Sequence, residues 1–163
     1  MARDNHRKVK LLRLIELLRQ HTDEQNPMTT SQVGAAMDAM GIPCDRRIIK
    51  RDVDSLNELG YEVMVTTVGH ENAYYVSDRS FSVPELKILI DAVHASSFIT
   101  EKKSRELIKK LESQASVHDG YMLQRHVIVA NRIKSMNESI FYNVDKIHQA
   151  IIGNVKISFQ YAV

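Results

Sequence analysis

Four long cationic side chains, Arg46, Arg47, Lys50 and Arg51, crowd into one short run of the chain. At ~100° per residue, Arg47, Lys50, Arg51 and Asp54 share one helical face, Ile49, Val53 and Leu56 share the opposite one, and Arg46 sits at the edge. A guanidinium fork matches guanine edges and phosphates in two-point fashion, and an ammonium meets a phosphate as a point charge. The chemistry fitted to this face is recognition of a polyanion. An amphipathic helix with a merely solvated charged face has the same local pattern, so its surroundings must decide. Bond-making chemistry has no comparable signal. The seven histidines, His6, His21, His70, His94, His118, His126 and His148, show no paired spacing for a metal, and Cys44 is the single cysteine. There is no glycine-rich phosphate loop, no nucleophile elbow and no carboxylate pair distinct from helix-surface salt bridges. Accordingly no catalytic residue, metal or cofactor is expected.

The flanking segments supply that context. Asp45 is placed to cap the first turn of the basic helix, and Gly60 offers a left-handed stop just after Leu59. Upstream, Thr29-Thr30-Ser31-Gln32 has the spacing of a capping box, followed by the apolar stripe Val33, Ala36, Met37 and Met40 and the turn Gly41-Ile42-Pro43. A short helix, a tight turn and a basic helix in this order make the helix-turn-helix arrangement, with 45–59 as recognition helix. Downstream, Tyr61–Val68 and Ala73–Val76 are β-rich and Gly69-His70-Glu71-Asn72 is turn chemistry, so 61–76 reads as a hairpin wing. The candidate DNA-contacting set is therefore Arg46, Arg47, Lys50 and Arg51 on the recognition helix. Thr30, Ser31 and Gln32 at the start of the bracing helix join it, with His70 and Asn72 at the hairpin tip.

The run Asp45-Arg46-Arg47-Ile48-Ile49-Lys50-Arg51-Asp52-Val53, with the hairpin after it, resembles the winged helix-turn-helix of bacterial WYL-domain transcriptional regulators, which are similar here to DeoR-type repressors. Phe81–Leu86, Phe98–Ser104 and Met136–Val144 resemble the helical connector of that family. Ile48 stands where the family usually has Thr, and Cys44-Asp45 replaces a common Val-Ser pair. Ile157–Tyr161 resembles the first strand of the WYL domain, but the Trp-Tyr-Leu signature is absent, as the chain has no tryptophan. The resemblance implies a regulator of transcription that binds double-stranded DNA. It also implies a nucleotide-like effector in a full-length form carrying the whole barrel.

Composition bounds the remainder. At 163 residues and 44% hydrophobic, the chain holds one real core or one small domain with a helical extension. A net charge of +2 argues against indiscriminate coating of nucleic acid, and no apolar span or leader is evident, so a cytoplasmic location with no membrane is expected. Cys44 reads as a buried thiol or as a redox switch beside the basic helix. The first helix, Arg7–Gln20, buries Leu11, Leu14, Ile15 and Leu18, widened by Leu12 and Leu17. Arg3, Arg7, Lys8 and Lys10 are either phosphate-positioning cations or a solvated helix start.

A capping box of Ser82 with Glu85 opens a helix to about Ser96, and Thr100 caps the next, where Leu107, Ile108 and Leu111 make a thin stripe among cations. Glu101 with Arg105 and Glu106 with Lys110 are oriented i,i+4 pairs. Helices so thin are expected to pack on each other and on a second copy, giving a homodimer. Ser113–Gly120 reads as a polar loop and Arg125–Val129 as extended. Ser135 with Glu138 caps a helix whose face is Ile140, Phe141, Val144, Ile147 and Ile151, with Gly153 as the stop. Val155, Ile157, Phe159 and Tyr161 alternate as a strand does.

The expected fold is mainly α with a small β-hairpin wing: a winged helix-turn-helix (1–79), a helical connector or dimerisation region (80–137), and the start of a truncated WYL domain (138–163) with one orphan β-strand. Two functions fit these residues. One is a sequence-specific DNA-binding transcriptional regulator; the other is a winged-helix protein–protein interaction module without DNA binding.

Overall fold

The computed structural model describes residues 2–126, 134, 136, 137 and 139–159. Among these the chain is mainly helical, with a small three-stranded antiparallel sheet. The elements are α1 (Ala2–His21), β1 (Met28–Thr29), α2 (Thr30–Ala39), α3 (Arg46–Glu58), β2 (Val63–Val68), β3 (Glu71–Val76), α4 (Val83–Ala95), α5 (Glu101–Glu112), α6 (Val117–His126) and α7 (Ser139–Ile152). The sheet order is β1-β3-β2; Val63 pairs with Val76 and Val68 with Glu71, so Gly69 and His70 alone form the hairpin turn. β1 adds two residues to the other edge of β3, Met28 opposite Tyr74 and Thr29 opposite Ala73.

Local chemistry accounts for the element ends. Both halves of the Thr29/Gln32 capping box form, as do those of Ser82/Glu85, while Asp45 accepts from the Arg47 N–H and Thr100 from that of Lys103. α2 and α3 stop in the same way. Gly41 and Gly60 take left-handed φ values of 74° and 92°, and the following amides of Ile42 and Tyr61 reach back to the Met37 and Leu56 carbonyls.

Two apolar cores result. The first gathers Leu14, Leu18, Val33, Met37, Ile49, Val53, Leu56, Val63, Tyr74 and Val76, all essentially closed to solvent. Each such side chain contributes about 1.5–3 kcal/mol by leaving water. Leu17 lies in this core as expected, whereas Leu12 faces outward. The second core is smaller, with Leu86, Ile90, Ile108, Ala115 and Leu123 from α4, α5, the turn after α5, and α6.

Arg79 bridges the two cores. Its guanidinium donates to the carbonyls of Arg19 (2.9 Å) and Thr22 (2.5 Å) at the end of α1 and to that of Gln114 (3.3 Å) after α5. Beside it the buried Ser116 hydroxyl donates to the Asp23 carboxylate at 2.6 Å. On the far side, Lys134 closes the end of α4 by donating to the Val93 and Ser96 carbonyls and the Ser104 hydroxyl.

Three expectations are corrected. Of the stretch Ser113–Gly120 only residues 113–116 are loop; from Val117, and through Arg125 and His126, which were expected to be extended, the chain is helix α6. The Ser116 hydroxyl accepts from the Asp119 N–H at 3.0 Å and starts the helix, while Leu123 buries it. No orphan strand forms among the described residues of that segment. Residues 155–159 join no ladder, and Val155, Ile157 and Phe159 are exposed, because an alternating sequence needs an edge to pair with. Finally, α7 ends at Ile152 with Gly153 next, but the left-handed stop is Asn154 rather than Gly153: Asn154 takes the left-handed φ of 49°, and the Val155 N–H reaches the Ala150 carbonyl. The sequence readings at 127–129, Ser135, Glu138 and Tyr161 lie outside the described residues.

Candidate nucleic-acid interface

α3 is held by its inner face. Ile49, Val53 and Leu56 are buried, and between them on the same face lies Asp52, 1% exposed and ion-paired with Lys10 of α1. Lys10 is thereby corrected from a candidate phosphate contact to a buried counter-charge. Its ammonium is spent on a carboxylate that would otherwise sit unpaired in the core, a loss of about 3–5 kcal/mol when one partner is removed. The readable trace of this pair was a lone acidic residue inside the apolar stripe of α3.

The outer face carries the cations. Arg46, Arg47, Lys50 and Arg51 are all exposed. The hairpin is fixed beside them by two clamps. At the far end of α3 the Asn57 side chain pairs with the Val63 backbone as a strand would, donating to its carbonyl at 3.0 Å and accepting from its N–H at 2.8 Å. At the near end Glu71, the first residue of β3, accepts from the Ser31 hydroxyl (2.6 Å) and amide (3.3 Å). Arg46 closes the group, donating to the Ser31 oxygen at 2.7 Å with Glu71 at 3.4 Å.

Between α3 and the hairpin tip lies an open concavity of about 440 Å³. It is lined by Thr30, Arg46, Arg47, Lys50, His70 and Asn72, all singled out in the sequence, together with Glu71 and Tyr74. Arg51, Ser31 and Gln32 do not line it. The three residues that start α2 have internal partners: Thr30, buried, donates its hydroxyl to the Asn72 carbonyl at 2.9 Å, Ser31 donates to Glu71, and the Gln32 amide oxygen accepts from the Thr29 N–H. They shape the concavity more than they furnish donors to it.

Glu71 was not anticipated. A carboxylate among cations looks like a defect in an anion-binding face, yet hydrogen bonding from Ser31, with Arg46 nearby, holds its carboxyl below the usual carboxylate range despite partial burial. It also occupies the amino end of α2, where free amides favour a negative group. Cys44 is half-buried, and burial pushes its thiol up, so it is protonated at neutral pH rather than poised as a thiolate.

No protein-family model, curated protein or solved structure matches the chain. Among the described residues no three potential metal ligands cluster, and no helix is long and apolar enough to cross a membrane.

Proposed function

We propose that this chain is a sequence-specific DNA-binding regulator of the winged helix-turn-helix kind, with α2 as bracing helix, α3 in the major groove and the β2–β3 hairpin as wing. The observation that carries this reading is the concavity that joins Arg46, Arg47 and Lys50 to His70 and Asn72 across two elements. A solvated charge face has no reason to be walled on one side by a clamped hairpin. A duplex does fit such a surface: a helix enters the major groove while an adjoining loop follows the backbone. The resemblance to WYL-domain regulators points the same way and adds a nucleotide-like effector.

The test is the salt dependence of binding to duplex DNA by fluorescence anisotropy. Counterion release gives a slope of roughly −0.9 in log K per log salt for each phosphate neutralised. A flat response, with binding to a protein partner instead, would establish the winged-helix interaction module in its place.

The same reading includes a homodimer. An apolar cleft of about 620 Å³ between α4 and α5, lined by Leu89, Val93, Phe98, Ile99, Leu107 and Leu111, is open to solvent. On α7 the apolar residues Ile140, Ile147 and Ile151 are likewise exposed. A second copy covers these faces and places two α3 helices on one duplex, ~34 Å apart for successive turns. Light scattering at tens of micromolar checks it: a clean monomer, with and without DNA, removes the dimer from the proposal.

A further inference from the structure

The acidic residue inside the basic concavity carries an inference that rests on the DNA-binding reading. Glu71 holds three elements at one point: it belongs to β3, it grips the Ser31 amide and hydroxyl at the start of α2, and with Ser31 it fixes the Arg46 guanidinium at the start of α3. We infer that Glu71 is a positioning residue for sequence readout, orienting Arg46 toward base edges through the Ser31 bridge at the expense of raw affinity for phosphate.

The argument turns on what each group has left to offer. Arg46 has five N–H donors in a planar fork, and the Ser31 and Glu71 contacts are both made by one terminal nitrogen. A side chain 69% exposed and otherwise free to sweep its rotamers is thus tethered at one corner while the rest of the fork lines the concavity. Two-point recognition of a base depends on a planar fork already held in register, since ordering a long, rotamer-rich side chain on binding costs conformational entropy. Phosphate binding makes no such demand, and there a nearby carboxylate is a plain electrostatic penalty. The two roles predict opposite signs when Glu71 is removed.

The experiment compares wild type, Glu71→Ala, Arg46→Ala and the double variant. Each is titrated against the duplex that wild type selects from a random library and against a scrambled duplex, with thermal melts to confirm folding. Positioning predicts that Glu71→Ala lowers the preference for the selected duplex by about fivefold to a hundredfold, the range of a single base contact. Binding to scrambled DNA holds or tightens, because a negative charge has left. In the Arg46→Ala background the same change leaves the preference unaltered. Ser31→Ala, which removes the bridge but keeps the carboxylate, lowers the preference in the same direction and guards against a misfolded Glu71 variant. Equal tightening on both duplexes after Glu71→Ala, or independent effects of the two substitutions on preference, overturns the inference while DNA binding stands. Failure of wild type to select or bind any duplex overturns both.

Discussion

α3 and α5 are both short amphipathic helices rich in Arg and Lys, yet α5 pairs cations with acids of its own surface and α3 does not. On α5, Arg105 is paired with Glu101 at 3.1 Å and Lys103 with Glu106 at 3.4 Å along the helix's own surface. On α3, Arg46 pairs with Glu71 of the hairpin, while Arg47, Lys50 and Arg51 make no ion pair among the described residues: Asp54 is exposed on their face without closing on any of them, and Asp52 is turned inward to Lys10. Neutralising a charge within its own helix leaves a solvated surface; cations without an acid closed on them leave a surface open to a counter-charge from elsewhere. Charge count alone does not separate the two helices. The placement of the acids does.

The contrast breaks most severely at Asp52. Asp52→Ala leaves the Lys10 ammonium buried without a partner, and denaturant unfolding is expected to show a loss of about 3–5 kcal/mol. Replacing both residues by apolar ones of similar size (Lys10→Met with Asp52→Leu) should recover most of that loss, since the pair's own desolvation cost disappears with it.

Next in size is the readout itself. Arg47→Ala should weaken binding to the selected duplex by about 1–3 kcal/mol without moving the melting temperature, whereas Lys109→Ala on α5 should change neither. Equal losses from both helices in an anisotropy titration would erase the distinction.

A smaller effect is expected at Ser116, which caps α6 and holds Asp23. Ser116→Ala should cost about 1–2 kcal/mol in denaturant unfolding while leaving DNA affinity alone, because both lost hydrogen bonds lie away from the concavity.

The smallest is a slope with pH. Burial works against the charge of Asp23, but hydrogen bonds from Ser116, Asn26 and Gln25 outweigh it and hold its carboxyl below the ordinary value of 3.8. A carboxyl depressed in the folded state contributes stability above its unfolded value and loses it as pH falls through the folded one. Asp119 has the opposite sign: burial and nearby Asp23 raise its carboxyl, so acidification relieves it. Asp23→Asn should therefore flatten the acid limb of a stability-against-pH curve as pH falls below the ordinary value of 3.8, and Asp119→Asn should not.

What the sequence made legible was whatever is written within a turn or two of the chain. The caps at Thr29, Asp45, Ser82 and Thr100 and the left-handed stops at Gly41 and Gly60 depend on neighbours three to six residues away, and each element they bound is found. β1 was invisible because two residues carry no period, and their pairing with Ala73 and Tyr74 lies across the fold. Lys10 and Asp52 are linked in the same long-range way. α6 was hidden for a different reason: Ser116 and Asp119 have cap spacing, but Gly120 suggested a loop. In the structure that glycine sits in the first turns of α6, where an added Cβ would stand 3.5 Å from the Glu112 carbonyl oxygen, an ordinary contact, so nothing there requires a glycine. Arg46, Arg47, Lys50 and Arg51 are exposed, as their helical face requires, and six of the nine residues named from the sequence line one concavity, the buried Thr30 among them. Glu71, contributed by the hairpin, could not be placed there by periodicity.

The bridge around Arg79 also bears on how the protein is made. Its bonds to Thr22 and that between Ser116 and Asp23 join residues 57 and 93 positions apart, whereas the first core is complete by Val76. Contacts of such long sequence separation form late, and domains fold from the amino end as a chain leaves the ribosome. The half bearing α3 is thus finished while α4, α5 and α6 are still being synthesised. For that interval the Arg79 guanidinium on the carbonyls of Arg19 and Thr22 lacks its partner beyond α4, and the nascent chain displays its basic face before the second core exists.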